Sequence, residues 1–331
     1  MKKCKLLFIV TLIFSLFFLI FVTSSFSATV NLKIASGWAP TQLESRTIDH
    51  FVDLVNEKSG GEIELTHFPS KQLGDSLSVL EMVQAGEVEA DAETFNWLTR
   101  LESEWSVLSF PYAIKNNEHW ERIQSSEWFK GLEEKLYEEK GIKVLASNGY
   151  RVPRHLYHKT KAILTPEDIK GVKIRMPDVK IQVGPFRDFG ADVTIIPWME
   201  VATSIATGLI DAGDGPATSI YSMKFYEVAP HITLTGHNLD TVNILVSRIH
   251  WEKLSPEHQE IMVSCAREAL GWYTDEAVGV WKADKEKMIQ EGAKFYEVDK
   301  EVWMKKALEI AEKWEEEGEW PKGLFEKISN M

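Results

Sequence analysis

Cysteine is nearly absent. The 331 residues include only Cys4 and Cys265, so a disulfide framework of the kind that staples small secreted domains is excluded. Basic residues are in the minority: 37 Lys and Arg stand against 50 Asp and Glu, a formal net charge of −13. That balance disfavours nucleic acid and anionic lipid as partners. Metal-ligand spacing is missing from the sequence too. There is no CxxC and no HExxH, and DAGDG (211–215) has neither the spacing nor the terminal Glu of a calcium loop. No glycine-rich phosphate loop follows a strand, so neither a metal nor a cofactor is expected. His237 and Asp240 lie close in sequence to Ser247, but no G-x-S-x-G turn presents a nucleophile. A periplasmic hydrolase is a remote alternative, recognisable by turnover of a carboxylate ester or amide.

One long apolar run is present, LLFIVTLIFSLFFLIFV over residues 6–22. Lys2, Lys3 and Lys5 precede it and the small residues of TSSFSA follow. This is the pattern of a secretory signal peptide over 1–27, cleaved after Ser27. The run also reaches the low edge of a transmembrane span, so an uncleaved anchor is the alternative. In both readings the remainder lies outside the cytoplasm, and a periplasmic location is expected. Cleavage removes Cys4 and three lysines, which takes the net charge from −13 to about −16. It also leaves Cys265 alone in an apolar helical stripe, where it reads as core filler.

VNLKIAS (30–36), EIELTHF (62–68) and EADAETF (89–95) read as strands, and the segments 40–61 and 75–88 between them carry apolar residues at helical spacing. Alternation of this kind predicts a parallel sheet covered by helices. The pattern restarts after a middle helical region. GIKVLAS (141–147), GVKIRM (171–176), ADVTII (191–196) and TVNILVS (241–247) are strand candidates, and WMEVATSIATGLIDA (198–212) is expected as a helix. Two α/β units follow: lobe I from 28–150 plus 241–280, and lobe II from 151–240 plus 281–331. Residues 256–291 hold one helical stripe, with Ile261, Cys265, Ala269, Trp272, Ala277, Val280 and Met288 near one face. A helix of that length extends about 54 Å at 1.5 Å per residue, enough to cross from one unit to the other. Ligands of such sheets bind beyond the carboxyl ends of the strands.

Five segments together carry a family resemblance: FPSKQLGD (68–75), LSFPYAI (108–114), LTPEDIKGVKIRMPD (164–178), GADVTIIPWMEVATSIATGLIDAGDGP (190–216) and KFYEVAPHIT (224–233). In their order and spacing the chain resembles the solute-binding proteins of TRAP transporters, the DctP family. The resemblance implies an α/β, two-lobed periplasmic-binding-protein-like fold, each lobe a mostly parallel sheet flanked by helices, with a long helix spanning both lobes. It also implies a monomeric receptor without catalysis that closes on a small organic acid and delivers it to the membrane subunits of a TRAP permease. A carboxylate-binding protein serving a different transporter or a sensor is the alternative, which neighbouring genes would decide.

Arg175 ends the strand GVKIRM just before Pro177, on the side opposite Val172, Ile174 and Met176. It matches the family arginine that pairs with the ligand carboxylate, for which a planar guanidinium supplies two parallel hydrogen bonds. A solvated arginine beside Lys173 is the competing reading. NGYRVPRHLYHKTK (148–161) concentrates Arg151, Arg154, His155, His158, Lys159 and Lys161. If 150–158 is extended, Val152, Arg154, Leu156 and His158 share a face, a costly place for an idle charge. The resemblance places a second ligand-facing arginine upstream of the first, which fits Arg154, with Arg151 as the fallback. His155, Lys159 and Lys161 are expected at the solvated surface, and His158 either in the core or on the ligand.

Trp198, two residues before Glu200, takes the position where the family commonly has a cleft-lining aromatic; plain core packing competes. Trp38 follows the first strand and Trp97 the third, with Glu93 and Asn96 beside Trp97. Where many relatives carry Asn before the proline of GLIDAGDGP, this chain has Gly215, so a different or bulkier far end of the ligand is expected. Asp214 either substitutes for that side chain or caps the next turn. Three tryptophans and Gly215 favour a sugar acid or an aromatic acid over a small dicarboxylate.

Overall fold

The computed structural model describes residues 29–331; the signal peptide expected over 1–27 lies outside them. Two sheets organise the chain. The first contains β1 (Val30–Ser36), β2 (Ile63–Phe68), β3 (Ala90–Thr94), β4 (Ile142–Tyr150) and β10 (Thr241–Ser247), in the order β2-β1-β3-β10-β4. The second contains β5 (Arg154–His158), β6 (Lys173–Met176), β7 (Asp192–Ile195), β8 (Ala212–Pro216), β9 (His231–Asn238) and β11 (Lys294–Tyr296), in the order β11-β9-β5-β8-β6-β7. β1 is parallel to β2 and β3, and β6 is parallel to β7 and β8. The antiparallel pairs all involve β4, β5, β9 or β10, the strands through which the chain passes between the lobes.

Helices cover both sheets for local reasons. α1 (Leu43–Lys58) buries Ile48, Phe51 and Val55, a face at helical spacing. α2 (Ser76–Ala85) starts at Asp75, whose carboxylate accepts the N–H groups of Leu77 and Ser78, both at 3.1 Å. α3 (Asn117–Ser125) and α4 (Glu127–Lys140) complete the first lobe's outer layer, and α5 (Lys180–Asp188) and α6 (Val201–Ala206) follow β6 and β7 in the second.

The stripe over 256–291 is one helix, α7 (Pro256–Gln290), capped by Ser255, whose hydroxyl accepts the His258 N–H at 3.1 Å. Met262, Cys265, Ala269, Tyr273 and Ala277 join the core of the first lobe, and Met288 joins that of the second. Cys265 is fully buried. α8 (Lys300–Glu316) then lays Trp303 and Trp314 into the largest core cluster. Among the described residues no helix is long and apolar enough to cross a membrane.

Three segments differ from expectation. The stretch 198–212 is not one helix: a 3-10 turn (Trp198–Glu200) leads into the short α6, and the chain then becomes β8. AGDGP has no β-branched residue, so its composition does not read as strand. Its glycine is there because Tyr157 of β5 lies across it; a Cβ at Gly213 would stand 2.5 Å from Tyr157 Oη. β9 is a further strand absent from the candidates, although Ile232 and Leu234 alternate with polar residues. β4 runs past its expected end at Ser147 to Tyr150, because β10 pairs with it along that length.

Besides α7, two crossings join the lobes, and they run side by side. The Arg151 N–H donates to the Asp240 carbonyl at 3.0 Å, Tyr150 pairs with Thr241, and Arg154 pairs with Asn238.

Candidate functional site

The carboxyl ends of β1, β3, β6 and β7 meet at a cavity of about 430 Å3 between the lobes. Trp38, Glu93, Asn96 and Trp97 line it from the first lobe; Arg154, Arg175, Pro177 and Trp198 line it from the second. Its volume falls in the range of small-molecule sites.

Arg175 is the group without a counter-charge. It is 4% exposed, so the solvated reading is excluded. Its Nε donates to the Ile196 carbonyl at 2.7 Å, and its guanidinium lies 5.3 Å from the Trp198 ring centre. Among the described residues no carboxylate lies within 4.0 Å of it, whereas Arg151 and Arg154 are both paired. Burial pulls its pKa down to about 10, offset only in part by Tyr157 and Asp214, as for a cation taken out of water with too little compensation. An incoming carboxylate would relieve that cost.

Arg154 is buried and differently placed. Its Nε donates to Asp214 Oδ2 at 2.5 Å, and His237 Nε2 approaches the same oxygen at 3.4 Å. Burial alone would raise the Asp214 pKa, but Arg154 and His237 more than offset it and hold the carboxyl well below the usual range. Arg151 is tied down through Nε and Nη2 to Glu44 Oε1, at 3.1 and 2.6 Å, with Asp240 Oδ2 at 3.7 Å from Nη1. Both arginines reach the cavity wall as members of neutralised pairs, and Arg175 alone among the three arrives unpaired.

The basic cluster is not a surface feature. Lys161 is exposed and Lys159 half-buried, but His155 and His158 are buried with Arg151 and Arg154. The reason is topological: β5 is an inner strand between β9 and β8, with Trp281 of α7 packed 5.8 Å from the His155 ring. His155 Nδ1 accepts the Gly236 N–H at 3.1 Å, and burial, with His237 and Lys300 nearby, pushes its pKa to about 3. His158 Nδ1 accepts the N–H groups of Thr160 and Lys161 at 3.0 and 3.1 Å, pinning the turn after β5; burial pushes its pKa to about 4. It belongs to the core.

Gly215 and Asp214 do not line the cavity. Asp214 stands behind Arg154, held by its guanidinium, and caps no turn. Gly215 lies under Trp198, where a Cβ would meet Trp198 Cη2 at 3.1 Å. The indole fills the space that a longer side chain at 215 would claim, and packs edge-on against Phe225 at 4.8 Å. Trp198 is therefore both packed and cleft-facing. Glu93 is 5% exposed; its Oε1 accepts the Thr94 N–H at 3.0 Å, and burial raises its pKa. Asn96 accepts from the Thr94 hydroxyl.

Several wall residues carry no signal of their own in the sequence. Lys71, Asp75 and Ser76 lie in and after FPSKQLGD. Gln182, at the start of α5, is 7% exposed with neither amide atom hydrogen-bonded among the described residues. Arg100 and Asp178, from opposite lobes, form an ion pair of 3.1 Å at the cavity rim. Only the strand-end rule points to such places.

Comparison with known proteins bears directly on this geometry. The sequence profile of DctP, described as bacterial extracellular solute-binding protein, family 7, matches residues 34–317. The chain is 31% identical over 253 residues to the 2,3-diketo-L-gulonate-binding periplasmic protein YiaO of Escherichia coli, covering 75% of each chain. It is 27% identical to the sialic acid-binding periplasmic protein SiaP of Vibrio cholerae, covering 72% of this chain and 74% of that one. Among solved structures, a TRAP periplasmic solute-binding protein of Ochrobacterium anthropi with bound L-fuconate superposes with a TM-score of 0.84 at 27% identity, over 92% of this chain and 99% of that one. One from Chromohalobacter salexigens with bound D-glucuronate gives 0.85 at 25% identity, over 90% and 99%.

Proposed function

Since the chain belongs to the DctP family of TRAP-transporter solute-binding proteins, which are extracytoplasmic receptors and not enzymes, we propose that it captures a sugar acid between its lobes through an Arg175–carboxylate pair and delivers it to a TRAP permease. The observation that carries this reading is the buried, unpaired Arg175 guanidinium. A bidentate carboxylate supplies the missing charge, and each charge-assisted hydrogen bond contributes about 1.5–3 kcal/mol. Trp198 keeps water from one face of the guanidinium, and Trp38 and Trp97 offer apolar surface for a sugar's C–H faces. Glu93, Asn96 and Asp75 offer acceptors for hydroxyls. The acids named for the relatives and neighbours above are consistent with this combination.

A thermal-shift screen with D-glucuronate, D-galacturonate, L-fuconate and 2,3-diketo-L-gulonate tests the reading. Ligand at 100 times its dissociation constant stabilises the folded state by about 2.7 kcal/mol, so a binder raises the melting temperature visibly. A chain that responds to neutral sugars and ignores every acid would refute the proposal.

A further inference from the structure

Lys71 enters the cavity from a backbone that side chains rarely adopt. Ser70 and Lys71 sit consecutively at φ 56° and 62°, neither being glycine. Their N–H groups are held by the end of the first strand, Ser70 to the Trp38 carbonyl at 2.9 Å and Lys71 to the Ser36 carbonyl at 3.1 Å. Strain kept in place by hydrogen bonds at a ligand cleft is an investment in the position of a side chain. That side chain and two polar groups surround one point at Gly37. The position a Cβ would take on Gly37 lies 3.8 Å from Lys71 Cε, 3.8 Å from Glu93 Oε2 and 3.6 Å from Ser76 Oγ. Glu93 is itself nine-tenths buried, with Oε1 committed to Thr94 and Oε2 turned toward this convergence. Lys71 has no carboxylate within 4.0 Å among the described residues, and Asp75 lines the same wall.

The two ends of the cavity therefore differ in charge. The Arg175 end carries one uncompensated cation. The end on the first lobe carries one ammonium and two carboxyl groups, with Arg100 at the rim already paired to Asp178, so donors and acceptors stand together. Hydroxyls satisfy such a set, since each both donates and accepts. A second carboxylate would instead face Glu93 and Asp75, a like-charge contact that discriminates against it. Resting on the sugar-acid reading, we propose that Lys71 and Glu93 form a hydroxyl-reading subsite that restricts the ligand to a single anionic group, so that uronic acids are accepted and the diacids of the same carbon skeleton are refused.

Isothermal titration calorimetry with D-glucuronate, D-galacturonate, D-glucarate and galactarate tests this on the wild type, Glu93→Gln and Lys71→Met, each first checked by its melting temperature. The wild type is expected to favour a uronate over its diacid by at least 30-fold. Glu93→Gln keeps the shape, removes the repelling charge and narrows that ratio at least 5-fold. Lys71→Met weakens uronate binding at least 10-fold. A wild type that binds a diacid as tightly as its uronate overturns the inference, as does a ratio unmoved by Glu93→Gln together with uronate affinity unmoved by Lys71→Met. In those cases uronate binding that still depends on Arg175 leaves the sugar-acid reading standing. Failure of all four acids to bind overturns the inference, and the sugar-acid reading falls with it when L-fuconate and 2,3-diketo-L-gulonate also fail to bind.

Discussion

The Arg175 guanidinium lies 5.3 Å from the centre of the Trp198 ring and faces no carboxylate, while Arg154 of the neighbouring strand pair has Asp214 at 2.5 Å. Two buried arginines in one cavity wall thus differ in what they lack. Arg175→Ala is expected to weaken binding of an acidic ligand by at least 100-fold, the loss of two charge-assisted hydrogen bonds. The melting temperature of the ligand-free protein should hold or rise, since an uncompensated buried cation is removed. Calorimetric titration and a thermal melt read the two effects separately.

Breaking the paired arginine has the opposite profile. Asp214→Asn leaves Arg154 buried without its counter-ion, for an expected loss of about 3–5 kcal/mol. Chemical denaturation measures it, and the double change Arg154→Met with Asp214→Leu should recover much of the loss. Equal stability of the single and double variants would contradict this account.

The buried histidines make the fold sensitive to acid. His155, depressed from 6.5 to about 3, binds its proton in the unfolded chain but not in the folded one throughout that interval. Stability is full above pH 6.5 and is lost as pH falls toward 3. Between pH 6.5 and 4 this one group accounts for about 3 kcal/mol. His155→Gln, whose amide oxygen can still accept the Gly236 N–H, should flatten that part of the curve in urea denaturation at a series of pH values.

Glu133 works with the reverse sign. Partial burial of this α4 side chain, against a weaker pull from Lys143 and Arg267, raises its pKa from 4.5 to about 7, so the folded state holds a proton that the unfolded state has released. Stability from this group is full below pH 4.5 and declines as pH rises to about 7. Glu133→Gln should stabilise the protein at pH 8 by about 1–3 kcal/mol and have little effect at pH 4.

Arg100 and Asp178 join opposite lobes at 3.1 Å with both side chains partly in water. An exposed pair of this kind contributes at most about 1 kcal/mol. Asp178→Asn is therefore expected to speed ligand release two- to five-fold in dilute salt, with the difference fading near 1 M as charges are screened. Stopped-flow dissociation at two salt concentrations decides it.

Much of the fold was legible because its strands and long helix repeat apolar residues at the spacings that burial demands. Ile48, Phe51 and Val55 announce α1, and the stripe through Cys265, Ala269 and Ala277 announces α7. β8 was not legible, because AGDGP is a strand only through its neighbours: Tyr157 and Trp198 occupy the room that its glycines leave. Arg175 could be placed from the end of its strand together with the family resemblance. Asp214 turns to Arg154 and Gly215 lies under the Trp198 ring, on opposite faces of β8; neither lines the cavity, and alternation along an unrecognised strand cannot be applied. Burial of His155 depended on how many strands flank β5, which no local pattern encodes. Lys71 is invisible for a further reason: what turns it inward is a pair of left-handed backbone conformations at Ser70 and Lys71, and neither residue type advertises one.

Where the chain passes between lobes, its outgoing and returning segments are hydrogen-bonded to each other through Arg151 and Asp240. Two strands fastened edge to edge resist shearing and splaying but yield readily out of their plane. The lobes then share one flexible strap in place of two independent tethers, with α7 as the other link between them, and the compliance of the strap favours a swing about its own width. Arg154, at the root of that strap, would register the swing directly in the angle at which it presents its guanidinium.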